Sequence, residues 1–391
     1  MFNIIILGIA SFLTDVSSEM IYPLLPLYLV SRLGVSPAIL GIIEGFAESL
    51  ASIIKVFSGY FSDRLKKRKP FAIFGYSFSM IGKFLIFISA TWHLVFVGRL
   101  FDRFGKGVRT APRDAIIADS STSKNRGSNF GLHRAMDTLG ATAGVLIAYF
   151  LIKSYRVDYN RIFLFSLIPA ILGVIALFAV KEKISPVRNP ISGGVKPNPG
   201  KKIFKEKLSL KWSRLDKRLK SFLIITFLFS LGNSSNQFLL LRAKNIGFDI
   251  SSVILLYLFY NISYALVAWP ISRLSDRWGR KSILVAGYIF YSAVYLGFAV
   301  AGSYLFIWML FGLYGFYSAF TEGVEKALVV DVSPEDLKGT TIGLHATLVG
   351  IGLLPASLIA GLLWRYLGAA SPFYFGSIMS LAAALGLWFL L

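Results

Sequence analysis

Pairs of ionisable residues recur at helical spacing in a chain that is otherwise strongly apolar. Asp15 and Glu19 stand at i and i+4, with Tyr22 and Pro26 continuing the same stripe. Glu44 and Glu48 repeat the spacing, followed by Lys55. Lys83 stands alone. Asp102, Lys106, Arg109 and Arg113 then fall at 0, 4, 7 and 11, with Arg99 and Arg103 on an adjoining stripe and His133, Arg134 and Asp137 further on. A charged group in such a setting is expensive unless it is paired or wet, so each is a functional candidate. The chemistry open to them is proton transfer. Burial favours a neutral carboxyl, a nearby guanidinium favours the carboxylate, and a helix movement can exchange one influence for the other. With Asp114 counted, seven acids face eight bases within the apolar stretches of the first part of the chain, so most are expected to be paired.

The later part of the chain differs in kind. Asn233, Ser234, Ser235, Asn236 and Gln237 form one polar run, and Tyr257, Tyr260, Asn261 and Tyr264 another. These neutral hydrogen-bonding and aromatic groups suit a wall that holds a small solute. Glu322, Glu325 and Lys326 add charge further on. There is no Cys, and the three His (His93, His133, His345) lack a third clustered ligand, so no metal site is expected. Gly105-Lys106-Gly107 is too short for a phosphate loop, and no cofactor is expected. His133 with Asp137 is the one arrangement that a membrane enzyme could use, and no channel-filter loop stands out.

The elements that position these groups are membrane spans. Of 391 residues 55% are hydrophobic and 16% charged, against about 25% charged in an ordinary soluble domain. Twelve apolar stretches fit a bilayer core: 4–30, 37–61, 71–91, 93–117, 129–152, 162–180, 221–242, 250–270, 282–302, 304–330, 341–364 and 371–391. The formal net charge of +21 is therefore not read as a nucleic-acid surface. Loops on the side of both termini hold 25 Lys/Arg and the opposite loops 7, which places both termini in the cytoplasm of a multi-pass cell-membrane protein. The first span runs on past signal-peptide length and is expected to be uncleaved.

Residues 181–220 carry 13 basic and 3 acidic residues among prolines and glycines, and read as a linker between halves 1–180 and 221–391. The halves repeat. Asp63-Arg64 returns as Asp276-Arg277 at an offset of 213; Asp119 and Gly127 return as Asp331 and Gly339, and Gly131-Leu132-His133 as Gly343-Leu344-His345, at 212. The expected fold is an all-α membrane protein of twelve transmembrane helices in two six-helix halves related by parallel duplication.

The loop Gly59-Tyr60-Phe61-Ser62-Asp63-Arg64-Leu65-Lys66-Lys67-Arg68 resembles the signature loop of the major facilitator superfamily, and Asp276-Arg277-Trp278-Gly279-Arg280-Lys281 is its second copy. More narrowly, Ser17–Leu24, Arg109–Ala115 and Thr321–Ala327 resemble a prokaryotic branch placed near multidrug-resistance exporters. The chain departs from the antiporter motif at Gly140–Gly144, which lacks the motif's Gly-Pro pair. The resemblance implies a secondary transporter rather than an enzyme, working by alternating access on small organic solutes. Proton-coupled export of amphipathic compounds is its leading version; uptake or exchange of an anionic metabolite or metal chelate is the alternative, motivated by the cation-rich fourth span. Span one lies beside the cavity in that fold, so Asp15 and Glu19 are the expected proton-coupling acids. The expected cavity residues are Tyr22, Arg103, Arg109, Asn233, Asn236, Gln237, Tyr260 and Asn261. In the gating loops Asp63 and Arg64, with Arg113 as partner of Asp63, match Asp276 and Arg277, with Lys326 as partner of Asp276. The partners expected are the solute, protons and the lipid bilayer around a monomer, with no nucleic acid.

Overall fold

The computed structural model describes residues 1–65, 67–121, 126–154, 158–181, 216–333 and 338–391. The linker therefore lies outside the described residues, apart from its two ends. Among those described there is no strand, and the helices form twelve spans. Span one is Phe2–Ile21, followed after a break at residues 22–24 by Leu25–Leu27 and a π-helical turn, Tyr28–Arg32. Spans two to six are Pro37–Leu65, Lys69–Phe87, Trp92–Asp119, Arg126–Ser154 and Tyr159–Phe178. Span seven is Lys217–Gly232 and Gln237–Ile246, separated by unwound residues 233–236. Spans eight to twelve are Ile250–Trp278, Arg280–Val300, Tyr304–Asp331, Lys338–Leu367 and Ser371–Leu390. Ten helices are long and apolar enough to cross a membrane. Span four is long enough at 28 residues, but it is loaded with the charges noted above.

The two broken spans are equivalent in the repeat. Pro23 and Pro26 deprive span one of backbone donors and disfavour a continuous helix. Span seven reaches the same outcome without proline, through Asn and Ser whose side chains compete for backbone groups. Irregular backbone at this depth is tolerated where protein or a wet cavity surrounds it. Both conditions hold here, as the site below shows.

The duplication is visible in the packing. Span one packs on five and six as span seven packs on eleven and twelve, and span two packs on four as span eight packs on ten. Arg68 bonds the Asp119 carboxylate and, at 3.1 Å, the Ala115 carbonyl. Its counterpart Arg280 bonds Asp331 at 2.5 Å and the Ala327 carbonyl at 2.9 Å. Lys69 donates to the carbonyls that end span six (Phe178 and Val180), and Lys281 does the same at Trp388, near the end of span twelve. A cation at a helix C-terminus is favoured by the helix dipole. The repeat anchors Asp119 and Asp331 thus tie each span four or ten to the loop before span three or nine.

The halves meet chiefly along spans two and eleven, and again along spans five and eight. Gly41 lies so close to span eleven that a Cβ there would come within 2.1 Å of the Ser357 carbonyl oxygen, and one on Gly361 within 2.5 Å of the Pro37 carbonyl. Ser49 donates to the Gly350 carbonyl at 2.6 Å across the same seam. This close packing is tightest toward the end of the molecule remote from the termini.

Candidate functional site

Span four supplies most of the buried charge, and its neighbours answer it residue by residue. Arg99 is buried and bonds both oxygens of the fully buried Glu44 at 2.8 Å, with Asp102 at 3.4 Å. Arg103 reaches Glu48 at 3.1 Å and Asp102 at 3.9 Å. Both guanidinium groups lie near the ring of Tyr22, at 5.9 and 6.0 Å from its centroid. Arg109 sits over the Tyr76 ring at 4.6 Å and donates to Ser79, while Lys83 donates to the Thr14 carbonyl at 3.2 Å. Arg99 and Arg103 are thus paired with the span-two acids Glu44 and Glu48, whereas Arg109 and Lys83 are held by neutral groups.

Arg113 lies further along span four. It binds Asp114 at 2.9 Å and Ser11 at 3.1 Å. The side chains of its expected partner Asp63, and of Asp276 and Lys326, lie outside the described residues, so those gating pairs are not among the observed contacts. Arg64 and Arg277 are exposed at the ends of spans two and eight.

A cavity of about 490 Å³ opens between the halves, on the terminus-bearing side of the seam between spans two and eleven. The amino half contributes Tyr22, Glu48 and Lys106. The carboxyl half contributes Asn233, Ser234, Ser235 and Asn236 from the break in span seven, with Tyr260 from span eight. Span ten adds Tyr314, Tyr317, Ser318, Thr321 and Glu325. The wall is cross-linked: Asn236 accepts from the Tyr314 hydroxyl at 2.8 Å, and Asn233 donates to the Tyr317 hydroxyl at 3.2 Å. Tyr260 packs on Tyr314 with centroids 5.2 Å apart, and Tyr22 meets Tyr257 across the halves at 5.6 Å. A second cavity of about 330 Å³ holds Asp15, Glu19, Lys106, Arg109, Arg113 and Asp137 with Asn261 of span eight. Glu19 stands near the Tyr257 hydroxyl across the halves.

The structure thus brings Tyr22, Asn233, Asn236 and Tyr260 to one cavity, and Asp15, Glu19, Arg109 and Asn261 to its neighbour. Arg103 lines the small charged pocket between spans one, three and four, which Asp15, Glu19, Tyr22 and Arg109 share. Gln237 is the exception. It begins the second helix of span seven, its side chain is fully buried, and its amide has no hydrogen-bond partner. One residue past the break, the helical turn carries it away from the cavity that Asn236 lines.

Tyr314, Tyr317, Ser318 and Thr321 were missed, although their 0, 3, 4, 7 spacing is a helical stripe. Lys106 was read only as one step of the span-four stripe, yet it lines both cavities and the charged pocket. Two of the three histidines, at equivalent places in the repeat, sit beside carboxylates: His133 lies 3.5 Å from Asp137, and His345 lies 3.9 Å from Glu325. Among the described residues no group of three or more His, Asp or Glu could hold a metal.

A paired charge network and a cavity shared by two duplicated six-helix halves define a membrane transporter. A family model described as Major Facilitator Superfamily matches residues 7–240 and 222–391. An uncharacterized MFS-type transporter of Methanocaldococcus jannaschii is 40% identical over 99% of this chain and 94% of its own length. The multidrug resistance protein MdtH of Sodalis glossinidius is 21% identical over 88% of this chain and 81% of its own. Among solved structures, the nucleoside transporter NupG superposes with a TM-score of 0.81 at 14% identity, covering 99% of this chain and 98% of its own. The chain belongs to the major facilitator superfamily. It is a multi-pass membrane transporter of small molecules.

Proposed function

We propose that the protein is a proton-coupled secondary transporter that carries a small organic solute by alternating access, with Asp15 and Glu19 as the coupling acids. One observation carries this reading: both acids face the cavity system between the halves, where Glu19 stands near Tyr257 of the other half. Rocking the halves about the seam would separate the two and change what surrounds each carboxyl. The charge asymmetry of the loops supports cytoplasmic termini in the cell membrane, so the cavity described here faces inward. The solute would rest against Tyr22, Asn233, Asn236 and Tyr260, with Arg103 and Arg109 holding the charged floor. Asp63, Arg64, Arg113, Asp276, Arg277 and Lys326 would serve the inner gate. A monomer suffices, since each half supplies one wall.

Export of amphipathic compounds is supported by relatives named for multidrug resistance. Uptake or exchange of an anionic metabolite or metal chelate is the second reading, favoured by Lys106 in the cavity wall. Purified protein in liposomes with an imposed pH gradient tests the coupling. Asp15→Asn and Glu19→Gln are expected to abolish gradient-driven accumulation while solute exchange at equal pH persists. Unchanged accumulation in both variants would overturn the assignment.

A further inference from the structure

Resting on the transport reading, the chemistry of the solute can be narrowed from one side chain. Among the described residues the other cations of span four, and Lys83 of span three, each have a partner. Arg99 is held by Glu44, Arg103 by Glu48, Arg113 by Asp114, Arg109 by Ser79 and the Tyr76 ring, and Lys83 by a carbonyl. The Lys106 ammonium makes no salt bridge and no hydrogen bond among the described residues, although the residue's carbonyl accepts from Thr110 at 2.6 Å. Lys106 is exposed, and it lines the wall common to the two large cavities. A buried-depth ammonium without a counter-ion is unfavourable unless water or a ligand supplies one. The carboxylates of the main cavity are not free to do so: Glu48 is taken by Arg103, and Glu325 accepts from the Tyr288 hydroxyl at 2.8 Å. A cationic solute finds no comparable seat, because Asp15 stands among Lys106, Arg109 and Arg113.

Opposite Lys106, the described lining of the carboxyl half offers ring faces, neutral hydrogen-bonding groups and Glu325, and no cation. We propose that the solute carries one anionic group, a carboxylate or its equivalent, seated at the Lys106 ammonium, with a ring bearing a hydroxyl or carbonyl against Asn236, Tyr260, Tyr314 and Tyr317. A cavity of about 490 Å³ holds a body of this kind with water to spare. Lysine suits the task because its ammonium is a compact charge on a flexible stem that can follow a moving ligand.

The test uses three probes on one skeleton that differ in charge: 4-hydroxyphenylacetate, 4-hydroxyphenylacetamide and tyramine. Binding to the purified full-length protein is read by calorimetry. The carboxylate is expected to bind about tenfold more tightly than the amide or the amine. Lys106→Gln removes that preference, Lys106→Arg retains it, and Lys106→Glu transfers it to tyramine. Unchanged thermal unfolding of Lys106→Arg and Lys106→Gln excludes loss of fold as the cause. A wild type that binds the amide or amine as well as the carboxylate, or none of the three, overturns the proposal, as does a preference that survives Lys106→Gln. The transport reading fails separately: a carboxylate that binds through Lys106 yet never crosses a liposome membrane leaves the site standing and removes the transporter role.

Discussion

Glu44 shows how much a single residue holds in this protein. Its carboxylate is fully buried and meets Arg99 through both oxygens. Removing one partner of such a pair strands a charge in a low-dielectric interior, which costs about 3–5 kcal/mol. Glu44→Gln is therefore expected to lower stability by about that amount, whereas Glu44→Gln with Arg99→Gln loses much less than the sum of the two single changes. Thermal unfolding of the four proteins in detergent measures the cycle, and additive losses would show that the pair is not coupled. The near balance of acids and bases told that pairing would occur. Which residues pair was not legible, because it depends on the relative rotation and height of spans two and four. Lys106 was hidden for the same reason: it shares a stripe with Arg109, and only the packed helices show that one has partners and the other faces open space. Tyr314 and Tyr317 were lost in a chain with 34 Phe and 18 Tyr, where an aromatic stripe is an ordinary core signal.

Spans one and seven break at equivalent depths, and each break places its polar or aromatic residues at the cavity. The proline-driven break could be read in advance, while the one at 233–236 followed only from the structure. Spans two and eleven, by contrast, fit because glycines let backbones touch, and that fit must open in the alternate state. Gly41→Val would drive a side chain into the Ser357 carbonyl and is expected to hold the seam apart. The chain has no Cys, so an introduced thiol reports cleanly. Leu27→Cys, on a fully buried position in the short helix that packs against the second part of span seven, should react with an impermeant maleimide faster when combined with Gly41→Val. Equal rates would show that the seam does not control access from that side.

At the scale of the whole molecule, duplication explains why two halves of similar fold differ in chemistry. The staple of Arg68 and Asp119 recurs as Arg280 and Asp331, so the frame is kept in both copies. The ionisable network belongs to the amino half and the neutral aromatic wall to the carboxyl half. Sequence offsets alone revealed this frame, since span length, loop charge and repeat spacing are one-dimensional properties, whereas the cavity depends on how the halves meet. We propose that the segment between the halves serves to join them. Residues 1–180 and 216–391 expressed as separate chains are then expected to co-purify through spans two, five, eight and eleven and to recover transport; halves that never associate would contradict it.

The central claim is that protons and solute share one cycle through the Asp15 and Glu19 carboxyls. The most direct measurement loads proteoliposomes with a pH-sensitive dye, sets equal pH on both sides, and adds chemically diverse organic solutes outside. The account predicts that a transported solute shifts the lumenal pH in wild-type vesicles and leaves it unchanged with Asp15→Asn and Glu19→Gln combined. A solute that accumulates in wild-type vesicles with no lumenal pH change would contradict it.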